Sequence, residues 1–282
     1  MASISPVRPS PIAGAWYEGN PIALESAVDE YLNRAELPEL EGEVLAVIAP
    51  HAGHIYSGPV AGYAFASVRG RKPDLVAVIS PMHQPYQEPL LTTAHAAYST
   101  PLGEILVDQE ALAALDAVLV PRIGNGLTRV SYDREHSLEI ELPFLQRSLG
   151  IEFKLLPVMV RSQNPQDIET LAAALAEVLK DRNALLVAST DLSHFYDQAI
   201  AKELDSTMLH CFESFDPSAI FQLERSGRGQ ACGHAAVAAV LWAARALGAD
   251  KVKVLQYATS GDVTGDYSSV VGYGAAAVLK SH

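Results

Sequence analysis

The chain has 282 residues, 49% hydrophobic and 19% charged, which is enough apolar material for a sizeable core and too little charge for a disordered chain. A formal net charge of −13 argues against a nucleic-acid backbone or an anionic membrane as the main partner. The two cysteines, Cys211 and Cys232, are too few for a disulfide scaffold, and they lack the Cys-x-x-Cys spacing of a thioredoxin motif or a four-cysteine zinc site.

No uncharged apolar stretch approaches the ~18 residues of a membrane span. The opening MASISPVRPSP has no apolar core of a secretory signal, so a reducing cytoplasm is the expected compartment. Residues 1–11, rich in proline and serine, read as an arm over the surface, with the aromatic Ala13-Gly14-Ala15-Trp16-Tyr17 pinning it down. Asn20-Pro21 reads as an N-cap with proline at the first helical position. Leu24, Val28, Tyr31 and Leu32 follow at helical spacing. Residues 44–49 form a short run, apolar at alternating positions of both parities and ended by Pro50, which predicts a strand buried on both sides. A helix over 59–68 returns across the sheet. Residues 75–80 repeat the apolar run.

A proline-flanked loop follows, then a hairpin within 94–107 around Pro101-Leu102-Gly103, and a short helix over 109–115. Residues 129–148 begin as loop and end as helix, with Pro143 as a kink or an early turn. Residues 154–160 read as a strand. Asn164-Pro165 caps a helix whose stripe is Ile168, Leu171, Leu175, Val178 and Leu179. Residues 184–189 are the third apolar run. Helices over 199–212 and from Asp216-Pro217, a glycine-rich loop over 227–233, a helix over 234–247 and strands over 251–260 and 269–279 complete the chain. With no repeat and no low-complexity linker, the chain reads as one α/β domain, 1–282, with a central mostly parallel or mixed sheet flanked by helices.

Polar residues at the carboxyl ends of buried strands sit where open α/β sheets place ligands. His51, His83 and Asp191 each stand just past one of the three apolar runs, a spacing that predicts their convergence on one sheet edge. Two histidines and a carboxylate suit the facial triad of non-haem Fe(II) oxygenases, and zinc and copper accept the same ligands. The plainer alternative is that each histidine satisfies loop carbonyls. Cys232 lies in the glycine-rich loop just ahead of a helix, whose N-terminus favours a thiolate of lowered pKa. Its pattern leaves a fourth metal ligand and a nucleophile both open, whereas Cys211 on an apolar helix face reads as inert. His136, beside Glu135, and His194, three residues from Asp191, read as acid/base groups or donors to the ligands. His54 reads as solvent-facing. No Gly-x-Ser-x-Gly elbow supports a serine hydrolase, and neither a Walker loop nor a Gly-x-Gly-x-x-Gly fingerprint supports nucleotide binding.

Several stretches together resemble the Memo family: AGAWY, IAPHAGHIYSG, ISPMH, DREHSLEIELPFLQ, PVMV, ASTDLSHF, ACGHAA and DYSSVVGYGAAAV. The resemblance spans nearly the whole chain. It implies a fold similar to the class III extradiol dioxygenases, and metal-site residues at His51, His83, Asp191 and Cys232. It also implies iron or copper with redox activity, and a radical-SAM protein partner. The chain departs from animal members at His54, at Gln84 and in the CGH spacing after Cys232. The expectation is a metal-dependent, dioxygenase-like oxidoreductase binding iron or copper, with zinc as a further choice, on an unidentified small-molecule or peptide ligand. His136 or His194 would move protons. The rival readings are a binding or scaffold protein that keeps the metal pocket, and cysteine chemistry without metal.

Overall fold

The computed structural model describes residues 6–124 and 126–281. In chain order the elements are β1 (Val7–Arg8), α1 (Pro21–Arg34), β2 (Glu43–Ala49), α2 (His54–Ala66), β3 (Leu75–Pro81), β4 (Leu90–Thr93), β5 (Ala97–Thr100), β6 (Gly103–Leu106), α3 (Gln109–Ile123) and β7 (Thr128–Val130). A 3-10 turn (Glu139–Glu141) leads into α4 (Leu142–Leu149) and β8 (Lys154–Val160). Then come α5 (Pro165–Leu179), β9 (Ala184–Ser189), β10 (His194–Tyr196), α6 (Gln198–Glu213), α7 (Pro217–Ser226), α8 (His234–Ala246), β11 (Lys251–Thr259), α9 (Gly261–Thr264) and β12 (Val270–Lys280).

The three apolar runs lie side by side. β9 pairs in parallel with β2 on one flank and β3 on the other, with Ala188 opposite both Ile48 and Ile79, and β8 continues the parallel set beyond β3. β12 runs antiparallel to β2, and β11 antiparallel to β12. At the other flank β4 is antiparallel to β8 and parallel to β7, so the nine-stranded sheet is mixed. All seven residues of β3 are buried, the burial on both faces that its unbroken apolar sequence requires. α8 packs across β2, β9 and β3 and is backed by α5 and α7, while α2 packs on β2, β11 and β12 and is backed by α1 and α4. A three-stranded sheet joins β1, β5 and β6, with β5 and β6 forming the expected hairpin.

Cap chemistry sets the helix starts. The side chains of Asn20 and Asn164 accept from the N–H groups of Ile22 and Gln166, each with a proline in the first turn. Pro143 likewise occupies the first turn of α4, where its missing N–H costs nothing, so it starts that helix and does not kink one. Two helices outrun their sequence bounds. α3 continues to Ile123 because Leu119 extends the buried stripe of Leu112 and Leu115. α2 begins at His54 and carries Pro59 inside it. The N-terminal arm is also more than a surface strap. Residues 1–5 lie outside the described residues, but β1 pairs with β5 and the Arg8 side chain is fully buried. Among the described residues no helix is long and apolar enough to cross a membrane.

Candidate functional site

The carboxyl ends of β2, β9 and β3 form one edge, and the chain delivers His51, Asp191 and His83 two residues past those ends. His51 is buried, and its ring meets His83 and His136 edge-on at centroid separations of 5.3 and 5.5 Å. The rings of His83 and His136 stack at 4.8 Å. One ring nitrogen from each of His51, His83 and His136 falls within 4.8 Å of the others, so this trio can hold a metal ion. His136 arrives from the loop between β7 and the 3-10 turn; the sequence reads it as an acid/base group or a donor to the ligands, and its ring stands within the trio itself.

Glu135 organises two of the three rings. Its carboxylate accepts from the His83 backbone N–H at 2.6 Å, lies 2.8 Å from His83 Nδ1, and accepts from the N–H groups of His136 and Ser137 at 3.0 Å. Burial alone would raise its pKa. The hydrogen bond and charge of His83, the Ser137 N–H and His136 outweigh burial and hold the carboxyl well below the usual range. With the Nδ1 edge of His83 turned to Glu135, its Nε2 is the nitrogen available to a ligand. Burial, together with the neighbouring His136 and His83, holds the pKa of His51 well below its ordinary value. His136 falls to about 4, chiefly through burial, with Glu135 opposing and His83 assisting. Both rings are therefore neutral at pH 7, the form that ligates metal.

Asp191 and Cys232 also bond to His51. Asp191 Oδ1 accepts from the His51 backbone N–H at 2.7 Å, and Cys232 Sγ lies 3.0 Å from His51 Nε2. Cys232 and Asp191 also exchange backbone contacts, the Cys232 N–H donating to Asp191 O at 3.2 Å and the Asp191 N–H to Cys232 Sγ at 3.3 Å. Burial raises the Asp191 pKa to about 7 against the pull of the His51 and Ala52 N–H groups. The thiolate expectation for Cys232 is corrected here: burial and the adjacent Asp191 charge push its thiol pKa well above the ordinary value, against the weaker help of the Asp191 and Gly233 amides and the Thr190 hydroxyl. Cys211 behaves as expected, its thiol pushed up to about 11 by burial and Asp216.

Of the remaining sequence candidates, His194 is half-buried on β10 outside the trio, its pKa lowered by burial. His54 does not face solvent. It is buried against Phe144 and Tyr17, with Nε2 3.0 Å from Ile140 O. Sequence reasoning missed Trp16, whose indole lies 4.2 Å from the His136 ring, and also Ser189 and Glu141, which back His51. A readable signal existed for Glu141. In LEIEL, carboxylates alternate with apolar residues, and all five side chains are buried.

A cavity of about 590 Å³ opens beside the trio, lined by Trp16, Tyr56, Phe195, Tyr273, Ala52 and Gly53 among others. Trp16 is shared with the His136 side, and Ala52 follows His51 directly. Asp266 is the one charged residue among the described lining residues. Phe195 stands at the rim, 75% exposed and at φ 66°, a conformation a bulky residue adopts only under constraint.

Residues 8–277 match the family described as Memo-like protein. A "MEMO1 family protein" of Nitrosopumilus maritimus is 34% identical over 279 residues, covering 95% of this chain and 98% of the relative. Another from Thermotoga neapolitana is 36% identical over 279 residues with the same coverage. One from Aeropyrum pernix is 36% identical over 267 residues, covering 91% and 92%. Near-complete coverage in both directions, joined to an α/β fold that gathers histidines at one sheet edge, establishes that this chain belongs to the Memo-like protein family.

Proposed function

We propose that this protein is a metal-dependent oxidoreductase of dioxygenase-like type, with a fold akin to the class III extradiol dioxygenases and iron or copper as its metal. The observation that carries this reading is the convergence of His51, His83 and His136 within 4.8 Å. The donor set fits a transition metal. Imidazole suits iron, copper and zinc, and the sulfur of Cys232 beside His51 Nε2 adds a soft donor that favours Cu(I) or zinc. His51 and His83 would hold the metal through Nε2, with Cys232, Asp191 and His136 as the groups that complete the shell. When bound, the metal supplies a Lewis-acid and redox centre.

The protein's own residues do the rest. Glu135 orients the His83 ring and fixes the main chain at His136. Whenever the metal leaves the His136 ring free, that ring, neutral at pH 7 and partly exposed, would accept a proton from a ligand in the adjoining cavity, and His194 would be the second such group. Aromatic faces of Trp16, Tyr56, Phe195 and Tyr273 would bind a planar, uncharged or cationic substrate, since no described lining residue supplies a counter-charge for an anion.

The test is anaerobic loading with Fe(II) or Cu(I), followed by oxygen-consumption assays over a panel of catechols and related diols. The wild type should bind about one metal per chain. His51→Ala and His83→Ala should lower affinity at least about tenfold and abolish turnover. Metal binding without oxygen consumption across the panel would favour the binding-protein reading. Equal, negligible binding by all three proteins would remove the metal centre.

A further inference from the structure

The Ser189 hydroxyl closes β9 beneath His51, and three polar atoms crowd it. Ser137 O lies at 2.6 Å, Glu141 Oε1 at 2.7 Å and His51 Nδ1 at 2.8 Å. A hydroxyl has one hydrogen and two lone pairs. The Ser137 carbonyl only accepts, so the Ser189 hydrogen goes there. The other two contacts then fall on lone pairs, and both partners must donate. For Glu141 that requires a neutral carboxylic acid. For His51 it requires the proton on Nδ1. Ionising Glu141 would draw the Ser189 hydrogen to itself and leave two oxygen lone pairs facing each other at the Ser137 carbonyl.

A second observation agrees. Glu141 is completely buried, and its Oε2 has no hydrogen-bond partner. A carboxylate with one naked oxygen in such a place is far costlier than a neutral acid in the same place. Burial and the nearby Asp191 charge act in the same direction, against the Ser189 hydrogen bond.

We propose that Glu141 is a positioning residue: as a buried neutral acid it donates to Ser189, and through that hydroxyl it fixes His51 as the Nδ1–H tautomer with the Nε2 lone pair presented to the histidine cluster. The device places a proton-bearing acid where ligating histidines commonly have an ionised carboxylate. His51 therefore gains orientation without a second buried negative charge behind Asp191. The two histidines common to the trio and to the family resemblance are thus held differently, His83 by ionised Glu135 and His51 by neutral Glu141 through Ser189.

The proposal rests on His51 belonging to the functional site, but its test does not require turnover. Metal-free, full-length protein labelled with ¹⁵N-histidine is measured by NMR at pH 7, with His51 assigned by loss of its signals in His51→Gln. Infrared difference spectra of wild type against Glu141→Gln are recorded alongside. The expected result is a carboxylic-acid C=O band present at pH 7 and absent from Glu141→Gln, and a His51 ring protonated at Nδ1. Glu141→Gln, whose amide can donate in place of the acid, should keep that tautomer and bind Zn(II) within about twofold of wild type. Ser189→Ala and Glu141→Leu should give mixed tautomers and weaken Zn(II) binding about tenfold. A wild-type His51 protonated at Nε2, or no acid band removed by Glu141→Gln, would overturn the proposal even if the metal site stands. If Glu141→Leu fails to fold, the infrared band and Ser189→Ala decide alone.

Discussion

His54 shows how one ring can set a pH limit on the fold. Its Nε2 faces the Ile140 carbonyl, its Nδ1 is buried without a partner, and burial lowers its pKa to about 4. A histidine neutral in the folded chain and titrating near 6.5 when unfolded draws protons to the unfolded state as pH falls. Stability is therefore full above about pH 6.5 and declines from there towards about pH 4. Between pH 7 and pH 5 the contribution of this ring is about 2 kcal/mol. Urea unfolding of His54→Phe should show a loss smaller than wild type by that amount over the same interval, and an equal loss in both proteins would refute the assignment. Nothing in the local sequence distinguishes His54 from His51, three residues earlier. The difference is tertiary, because α2 starts at His54 and turns that ring onto Phe144 and Tyr17. Cys232 makes the same point in reverse. A helix start is legible in its sequence, but the helix effect is modest, and removal from water beside Asp191 reverses its sign.

Two elements are docked so tightly that small changes should reach the site. α8 begins at His234, immediately after Gly233, and a methyl group on Gly233 would collide with the Ser189 carbonyl and the Thr190 side chain. That close approach brings Cys232 beside His51. Gly233→Ala should cost about 1–3 kcal/mol, as overpacking does. It should also weaken metal binding by moving Cys232, and unchanged stability and affinity would show that the contact is slack. β1 is the second element. Arg8 grips Asp133 with two nitrogens at 2.8 and 3.1 Å, donates to the Glu135 carbonyl at 2.8 Å, and reaches Glu139. Burial pushes the Glu139 carboxyl up even beside Arg8. Arg8→Ala strands buried acids and should cost about 3–5 kcal/mol. Hydrogen exchange should quicken from β7 to the 3-10 turn, and exchange confined to β1 would show that Arg8 does not order the His136 loop.

On the scale of the whole molecule, a bound metal would act as a staple between β2, β3 and the loop carrying His136. At a free metal concentration 100 times the Kd the gain is about 2.7 kcal/mol. For a chain of this size, that corresponds to a rise in Tm of roughly 5 °C. Differential scanning calorimetry should find the rise in wild type, its reversal by chelator and its absence in His51→Ala. A rise that survives in His51→Ala would place the metal elsewhere. The parallel set β2, β9, β3 and β8 was legible because strands buried on both faces leave unbroken apolar runs, and the residues after Ala49, Pro81 and Ser189 fall together once those strands pair. The trio itself was only two-thirds legible. His136 is brought in by the Arg8 clasp on Asp133, across 125 residues of sequence, and no local pattern encodes such a contact.

From Asp133 to Glu141 nearly every polar side chain already has an assigned partner: Asp133 and Glu139 hold Arg8, Glu135 holds His83, the Ser137 hydroxyl bonds Pro81 O, and Glu141 reaches Ser189. A stretch so fully committed cannot drift without dismantling the centre, which leaves the rim as the adaptable part. Phe195, Thr264 and Asp266 line the cavity from outside that stretch, Thr264 bonding Asp266 and Asp266 bonding Ser268. Diversity libraries aimed at a different ligand belong at those three positions, where side chains can be exchanged while the buried acids and imidazoles keep their places.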